Sequence, residues 1–128
     1  MDEKVLSVEH LVTTFRIGKK DYPVLRDLSF EIGQNETLCM VGESGCGKSV
    51  TTLSVMGLLP LNGRVASGHI FLEGEELTAM SERQLISVRG KKMGMIFQEP
   101  MTSLNPLLTI GFQLTEGLRR HRGMSKEE

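Results

Sequence analysis

Two cysteines in 128 residues cannot build the disulfide scaffold of a small secreted fold. Basic residues are not in excess either. Fifteen Lys and Arg stand against sixteen Asp and Glu, a net charge of −1, which argues against nucleic acid as a partner because chains that grip its backbone are usually basic. No apolar stretch approaches the ~18 residues of a membrane span. The start, Met1-Asp2-Glu3-Lys4, is charged and has no secretory apolar region behind it. A soluble, intracellular chain is expected. Aspartate is scarce: Asp2, Asp21 and Asp27 are the only ones. What is present suffices for a core, since 39% of the residues are hydrophobic, and the length fits one domain of about 100–150 residues. Glycine is plentiful, 14 of 128 residues, against ~7% in an average protein.

There is no internal repeat, so periodicity and punctuation must define the elements. A strand-like stretch begins at Val5, Ser7, Val8 and Leu11 and meets a polar turn at Gly18-Lys19-Lys20-Asp21. Leu28 to Ile32 alternates apolar with polar, as a half-buried strand does, and Gly33-Gln34-Asn35 reads as a turn. The continuous apolar run Thr37-Leu38-Cys39-Met40-Val41 predicts a strand buried on both faces, with Cys39 inside it. A helix is expected from Lys48 to Leu59, stopped by Pro60. His69 to Glu73 reads as a strand turning at Gly74-Glu75. Ser81-Glu82-Arg83-Gln84 has the capping-box pattern and predicts a helix to Arg89, ended by Gly90. Met93 to Phe97 predicts another short strand, followed by a loop from Gln98 to Pro106. Ile110, Leu114 and Leu118 share one face of a helix ending near Arg122-Gly123. The pattern is that of a mixed α/β domain.

Gly42-Glu43-Ser44-Gly45-Cys46-Gly47-Lys48-Ser49 fits G-x-x-x-x-G-K-[ST] at every position, between an expected strand and an expected helix. Glycines let such a loop turn its backbone N–H groups inward on a phosphate chain, and the following helix adds its positive end. Lys48 is placed to reach the β- and γ-phosphates and Ser49 to coordinate Mg²⁺. Cys46 reads as a small loop-filling residue, although a thiol near a helix N-terminus can be activated.

Two absences narrow the class. D-x-x-G and N-K-x-D, which a GTPase needs, do not occur. Every aspartate precedes the loop, so no strand-end Asp can complete a magnesium shell in the usual way. Gln98 stands where that Asp would sit, and a neutral amide is a poor substitute. Either the chain binds nucleotide without hydrolysing it, or the remaining machinery is missing.

Val41 to Ser49, together with Ile96-Phe97-Gln98-Glu99-Pro100-Met101-Thr102-Ser103-Leu104-Asn105-Pro106, resembles the ATP-binding cassette subunits of oligopeptide, dipeptide and nickel importers. Lys48-Ser49-Val50, continuing into Ser54 to Leu59, resembles one of the two paired ATPase subunits of such importers. The resemblance implies an α/β fold: a P-loop NTPase-type nucleotide-binding domain with an antiparallel β subdomain, truncated before the helical subdomain and the catalytic strand are complete. It implies a β-rich start over 1–41, the phosphate loop and helix over 42–59, and a β/α segment over 60–97. A glutamine loop over 98–106 and the start of a helical subdomain over 107–128 follow. ATP and Mg²⁺ are the implied cofactors, with Val50 added to the nucleotide contacts.

The same resemblance places Gln98 at the glutamine that reaches the magnesium and the attacking water. It places Glu99 to Asn105 where membrane subunits dock, and an adenine-stacking ring at Phe15, with Tyr22 as rival. A second ATPase subunit, in a homo- or heterodimer, two membrane-spanning permease subunits and, indirectly, a substrate-binding protein are the implied partners. The implied location is the cytoplasmic face of the membrane, as a peripheral subunit.

The family's L-S-G-G-Q segment, its Asp-Glu strand end and its switch histidine do not occur. Ser125-Lys126-Glu127-Glu128 matches a capping box that would open a further helix, so truncation is the simplest reading. The chain alone is expected to bind ATP without appreciable hydrolysis. The rival readings are a stand-alone non-hydrolytic nucleotide-binding module and a non-functional remnant. His10, His69 and His121 have no metal-ligand spacing. Arg119-Arg120-His121-Arg122 reads as a solvated helix end, and the eight methionines read as core fillers.

Overall fold

The computed structural model describes residues 3–128; Met1 and Asp2, at the head of the charged start, lie outside them. Strand β1 (Lys4–Ile17) and strand β2 (Lys20–Gly33) form a long antiparallel hairpin. Its turn places Gly18 at φ +64°, where glycine is free of the Cβ penalty. Helix α1 (Lys48–Met56) follows, then strand β3 (Gly63–Leu72), strand β4 (Glu75–Glu76), helix α2 (Glu82–Val88) and helix α3 (Ile110–Arg122). The sheet order is β2-β1-β3-β4, antiparallel throughout. Between β3 and β4, Glu73 and Gly74 both have positive φ, the signature of a two-residue type I′ hairpin turn.

The chain divides into two compact units, one up to Ser81 and one from Glu82. The first holds a core of Val8, Leu11, Leu25, Ile70 and Leu72 from the sheet, with Met56 of α1 and Leu77 just beyond β4. Buried Thr13 of β1 and Ser54 of α1 meet at 2.9 Å. Since the Ser54 hydroxyl donates to the Val50 carbonyl, the Thr13 hydroxyl is the donor between the two. In the second unit Val88 is the one buried apolar side chain among the described residues.

The sheet is irregular where it crosses its middle. Register shifts break both β1 pairings, β1–β2 between Val8 and Thr14 and β1–β3 between Glu9 and Thr13. His10, Asp27 and Gly68, on three strands, all have positive φ. His10 Nδ1 lies 2.6 Å from Asp27 Oδ1, and its backbone N–H donates to the Ser29 hydroxyl. A Cβ on Gly68 would stand 2.4 Å from the His10 carbonyl oxygen. Only glycine lets β3 approach so closely.

Four expectations need correction. Thr37 to Val41 is not a strand: it is an irregular, exposed segment with Val41 94% exposed, and Cys39 is exposed rather than buried. Met93 to Phe97 makes only one isolated bridge, Arg89 with Met93, and Ile96 is 98% exposed. Both runs have strand composition, but a strand exists only through its neighbours, and among the described residues no strand pairs with either run. Helix α1 stops at Met56, three residues before Leu59. Gly57 adopts φ +64° and closes the helix with bonds to the Ser54 and Leu53 carbonyls, so the glycine acts before Pro60 can. Methionine is not general core filler either: Met56 is buried, but Met40 and Met101 are exposed.

Candidate functional site

The phosphate loop is built on strand β2 and helix α1. Gly45 and Gly47 adopt φ +83° and +97°, a region that side chains rarely enter. Gly47 is also buried against β2: a Cβ there would lie 2.8 Å from Leu25 Cδ2. At Gly42 a Cβ would meet the Cys46 sulfur at 2.5 Å. Gly45 and Gly47 are therefore required by backbone angle, while a side chain at Gly42 would have to displace the Cys46 thiol.

Helix α1 opens at Gly47 with no side-chain cap and no acidic residue in its first turn. Its early N–H groups are the orphan donors that an anion satisfies. The first helical bond, from the Thr51 N–H to the Gly47 carbonyl, measures 2.9 Å, and the Thr51 hydroxyl donates to the same carbonyl at 2.8 Å. Lys48 curls over the loop. Its ammonium donates to the Gly42 carbonyl and to that of Glu43 at 2.7 Å, and lies 3.4 Å from the Cys46 sulfur. The ammonium is thus held by two loop carbonyls, beside a bare helix start. Glu43, Ser44, Cys46 and Ser49 are exposed around it and Val50 is half-buried. The arrangement suits a polyphosphate, with Lys48 and the α1 N–H groups as its anion contacts.

Phe15 and Tyr22, the two candidates for stacking, are direct cross-strand partners. Phe15 is half-buried at the far end of β1. Its ring edge lies so near Gly63 that a Cβ there would come within 3.0 Å of Cε1. Tyr22 is the more exposed ring. In the second unit Gln98 is exposed, at the start of the loop carrying the 3₁₀ turn Pro100–Thr102. Among the described residues no three His, Cys, Asp or Glu side chains gather as a metal site. His10 and His69 instead pair with Asp27 and Glu76. The support residues Leu25, Thr13 and Ser54 could not be read from the motif, because they lie 22, 35 and 6 residues from Gly47, Lys48 and Lys48 respectively.

The profile of the ABC transporter family matches residues 25–126. The chain belongs to that family. It is 47% identical over 126 residues to the dipeptide transport ATP-binding protein DppD of Bacillus subtilis (strain 168), covering 98% of this chain and 38% of that protein. It is 47% identical over 125 residues to the oligopeptide transport ATP-binding protein AppD of the same organism, covering 97% and 38%. With OppD of Salmonella typhimurium, an oligopeptide transport ATP-binding protein, it shares 46% identity over 124 residues, 97% of this chain and 37% of that protein. The chain spans less than two-fifths of the length of these relatives.

Among solved structures, the dimeric post-hydrolysis state of the ATP-binding cassette MJ0796 bound to ADP and Pi superposes with a TM-score of 0.80. That match has 24% identity and covers 95% of this chain and 51% of that one. It shows that the chain shares about half of the cassette fold, here the part with the antiparallel sheet and the phosphate-loop helix.

Proposed function

We propose that this chain is the nucleotide-binding part of an ATPase subunit that powers membrane import of peptides, or of nickel. The observation that carries the reading is the loop Gly42 to Ser49. Its glycines are held open by geometry, its helix start is uncapped, and Lys48 is poised over the backbone ring. The peptide-transport names of the relatives support the cargo class. Nickel rests on the sequence resemblance alone.

ATP is the ligand that fits. Lys48 would hold the terminal phosphates, the backbone from Gly42 to Val50 would line the phosphate chain, and Ser49 would offer its hydroxyl to Mg²⁺. The magnesium, when bound, neutralises charge on the phosphates. Phe15, or Tyr22 opposite it, would give adenine an aromatic face. Gln98 would sense the metal and its water. The subunit would work against a second ATPase subunit and dock two membrane-spanning permeases through Glu99 to Asn105, with a substrate-binding protein delivering cargo to them. No helix among the described residues is long and apolar enough to cross a membrane, which fits a peripheral subunit on the cytoplasmic face.

Titration with a fluorescent ATP analogue and Mg²⁺ tests the reading. Saturable binding is expected, weakened by about tenfold or more in Lys48→Ala, because charge-assisted contacts are lost. A flat titration of folded protein, or unchanged binding by the variant, overturns it. The 128-residue chain alone is expected to release no phosphate above background. Turnover abolished by Lys48→Ala would count against that expectation.

A further inference from the structure

Two bulges interrupt the pairing of β1 with β2 at mid-sheet, and they cancel. Between the pairs Val8–Phe30 and Leu11–Leu28, Glu9 and His10 stand opposite Ser29 alone, so β1 carries the extra residue. Between Leu11–Leu28 and Thr13–Leu25, Arg26 and Asp27 stand opposite Val12 alone, so β2 carries it. Val8 to Thr13 therefore spans as many residues as Phe30 to Leu25. On the other side Gly68 of β3 faces His10 and Leu11, and the register is likewise restored by the pair Thr13–Val65. His10 and Asp27 take φ +49° and +57°, a region in which His, Asp and Asn are enriched over other side chains. Their side chains meet, with His10 Nδ1 2.6 Å from Asp27 Oδ1. The His10 N–H donates to the Ser29 hydroxyl at 2.8 Å, which serves a backbone group that a bulge tends to leave unpaired. Thr13–Leu25, the first pair beyond both bulges, is the one that carries α1. Thr13 Oγ1 lies 2.9 Å from Ser54 Oγ, and Leu25 lies beneath Gly47.

We infer that His10 and Asp27 are positioning residues for the phosphate loop: their bond keeps the two bulges in step, and so keeps Thr13 and Leu25 under α1. This rests on the nucleotide binding proposed above for Gly42 to Ser49. Side chains alternate faces along a strand, so a slip of one residue turns every later one over. Were the β1 bulge to close alone, Thr13 would meet Val24, and Leu25 would turn away from Gly47. His10 and Asp27 thus act on the loop through the Thr13–Leu25 pair. The chemistry of the bond is specific. A carboxylate only accepts, so Nδ1 carries the proton and the neutral ring leaves Nε2 bare. Asparagine at position 10 would set an N–H donor the same number of bonds from the backbone and tolerate the positive φ. Valine would do neither.

NMR on the isotope-labelled wild-type chain tests the lock without any variant. Long-range ¹H–¹⁵N correlation is expected to show the neutral His10 ring protonated at Nδ1. A cross-strand NOE is expected between Thr13 and Leu25. A neutral ring protonated at Nε2, or a missing NOE in folded protein, overturns the lock.

Titration with a fluorescent ATP analogue and Mg²⁺, on variants that circular dichroism shows to be folded, tests the consequence. His10→Val is expected to weaken binding about threefold to tenfold and to lose the NOE, while His10→Asn keeps both near wild type. His10→Gly keeps the backbone free and loses only the bond; it is expected to weaken binding in the same direction, and is read where His10→Val fails to fold. Ile70→Val opens a cavity in the same core and is expected to lower the melting temperature with affinity unchanged. Unchanged affinity in the folded Val or Gly variant overturns the inference. So does an equal loss in Ile70→Val, which would reduce the pair to a stabilising contact. A flat titration of folded wild type overturns the nucleotide reading instead, and the ring and NOE measurements still decide the lock.

Discussion

Gly68 shows how much a single residue decides in the sheet. At φ +92°, with the His10 and Glu9 carbonyl oxygens 2.4 and 2.6 Å from where a Cβ would stand, even alanine requires the backbone to move. Gly68→Ala is expected to lower stability by about 2–3 kcal/mol, combining backbone strain with a steric conflict. Urea denaturation followed by circular dichroism measures it, and a neutral or stabilising effect would count against the close approach. Surface carboxylates act more gently. The His69 ring nitrogen, with the Thr78 hydroxyl, holds the Glu76 carboxyl below the usual carboxylate range, and Arg89 does the same for Glu82. A lowered pKa gives stability that is present above the unfolded value and lost as pH falls through the folded one. Melting temperature should therefore drop on the acid side of the carboxylate range. Glu76→Gln should flatten part of that drop and leave the neutral-to-alkaline side unchanged.

Among the elements, α1 has the clearest dependence on its mooring. The buried Thr13 hydroxyl donates to Ser54, which donates to Val50, so the helix that begins at the phosphate loop is fastened to β1. Ser54→Ala is expected to cost about 1–2 kcal/mol by stranding the Thr13 hydroxyl. The double variant Thr13→Val/Ser54→Ala should cost less than the sum of the singles; strict additivity in the thermal melts would refute the coupling. The start of β1, the end of β2, the end of β3 and the three helices were legible in the sequence because their signals are local: alternation, a capping residue, a glycine stop. The long hairpin and the Gly63 start of β3 were not. Thr37 to Val41 and Met93 to Phe97 were misread for the opposite reason. Composition says how a strand would be buried, but pairing decides whether it exists. The phosphate loop was legible residue by residue. Leu25 beneath Gly47 was not, since it joins positions with no shared period.

At the scale of the whole chain, burial is unevenly shared. Among the described residues, seven of the eight buried apolar side chains lie before Ser81, and Val88 stands alone after it. Val41, Ile96, Leu107 and Leu114 face solvent. A chain so exposed is expected to bind a hydrophobic dye in its native state and to self-associate at micromolar concentration. Sedimentation velocity showing a monomer without dye binding would contradict this. Denaturation should also lack a single shared transition, with the unit after Glu82 losing its signal first. The sheet order has a further consequence for the living cell. All four strands among the described residues lie before Leu77, and each of β2, β3 and β4 pairs with one already made. A ribosome delivers residues from the N-terminus onward, so the sheet and its α1 mooring can close while later residues are still being added. Thr37 to Val41 stays unpaired and exposed beside that sheet, and is the apolar stretch a chaperone would have most reason to shield.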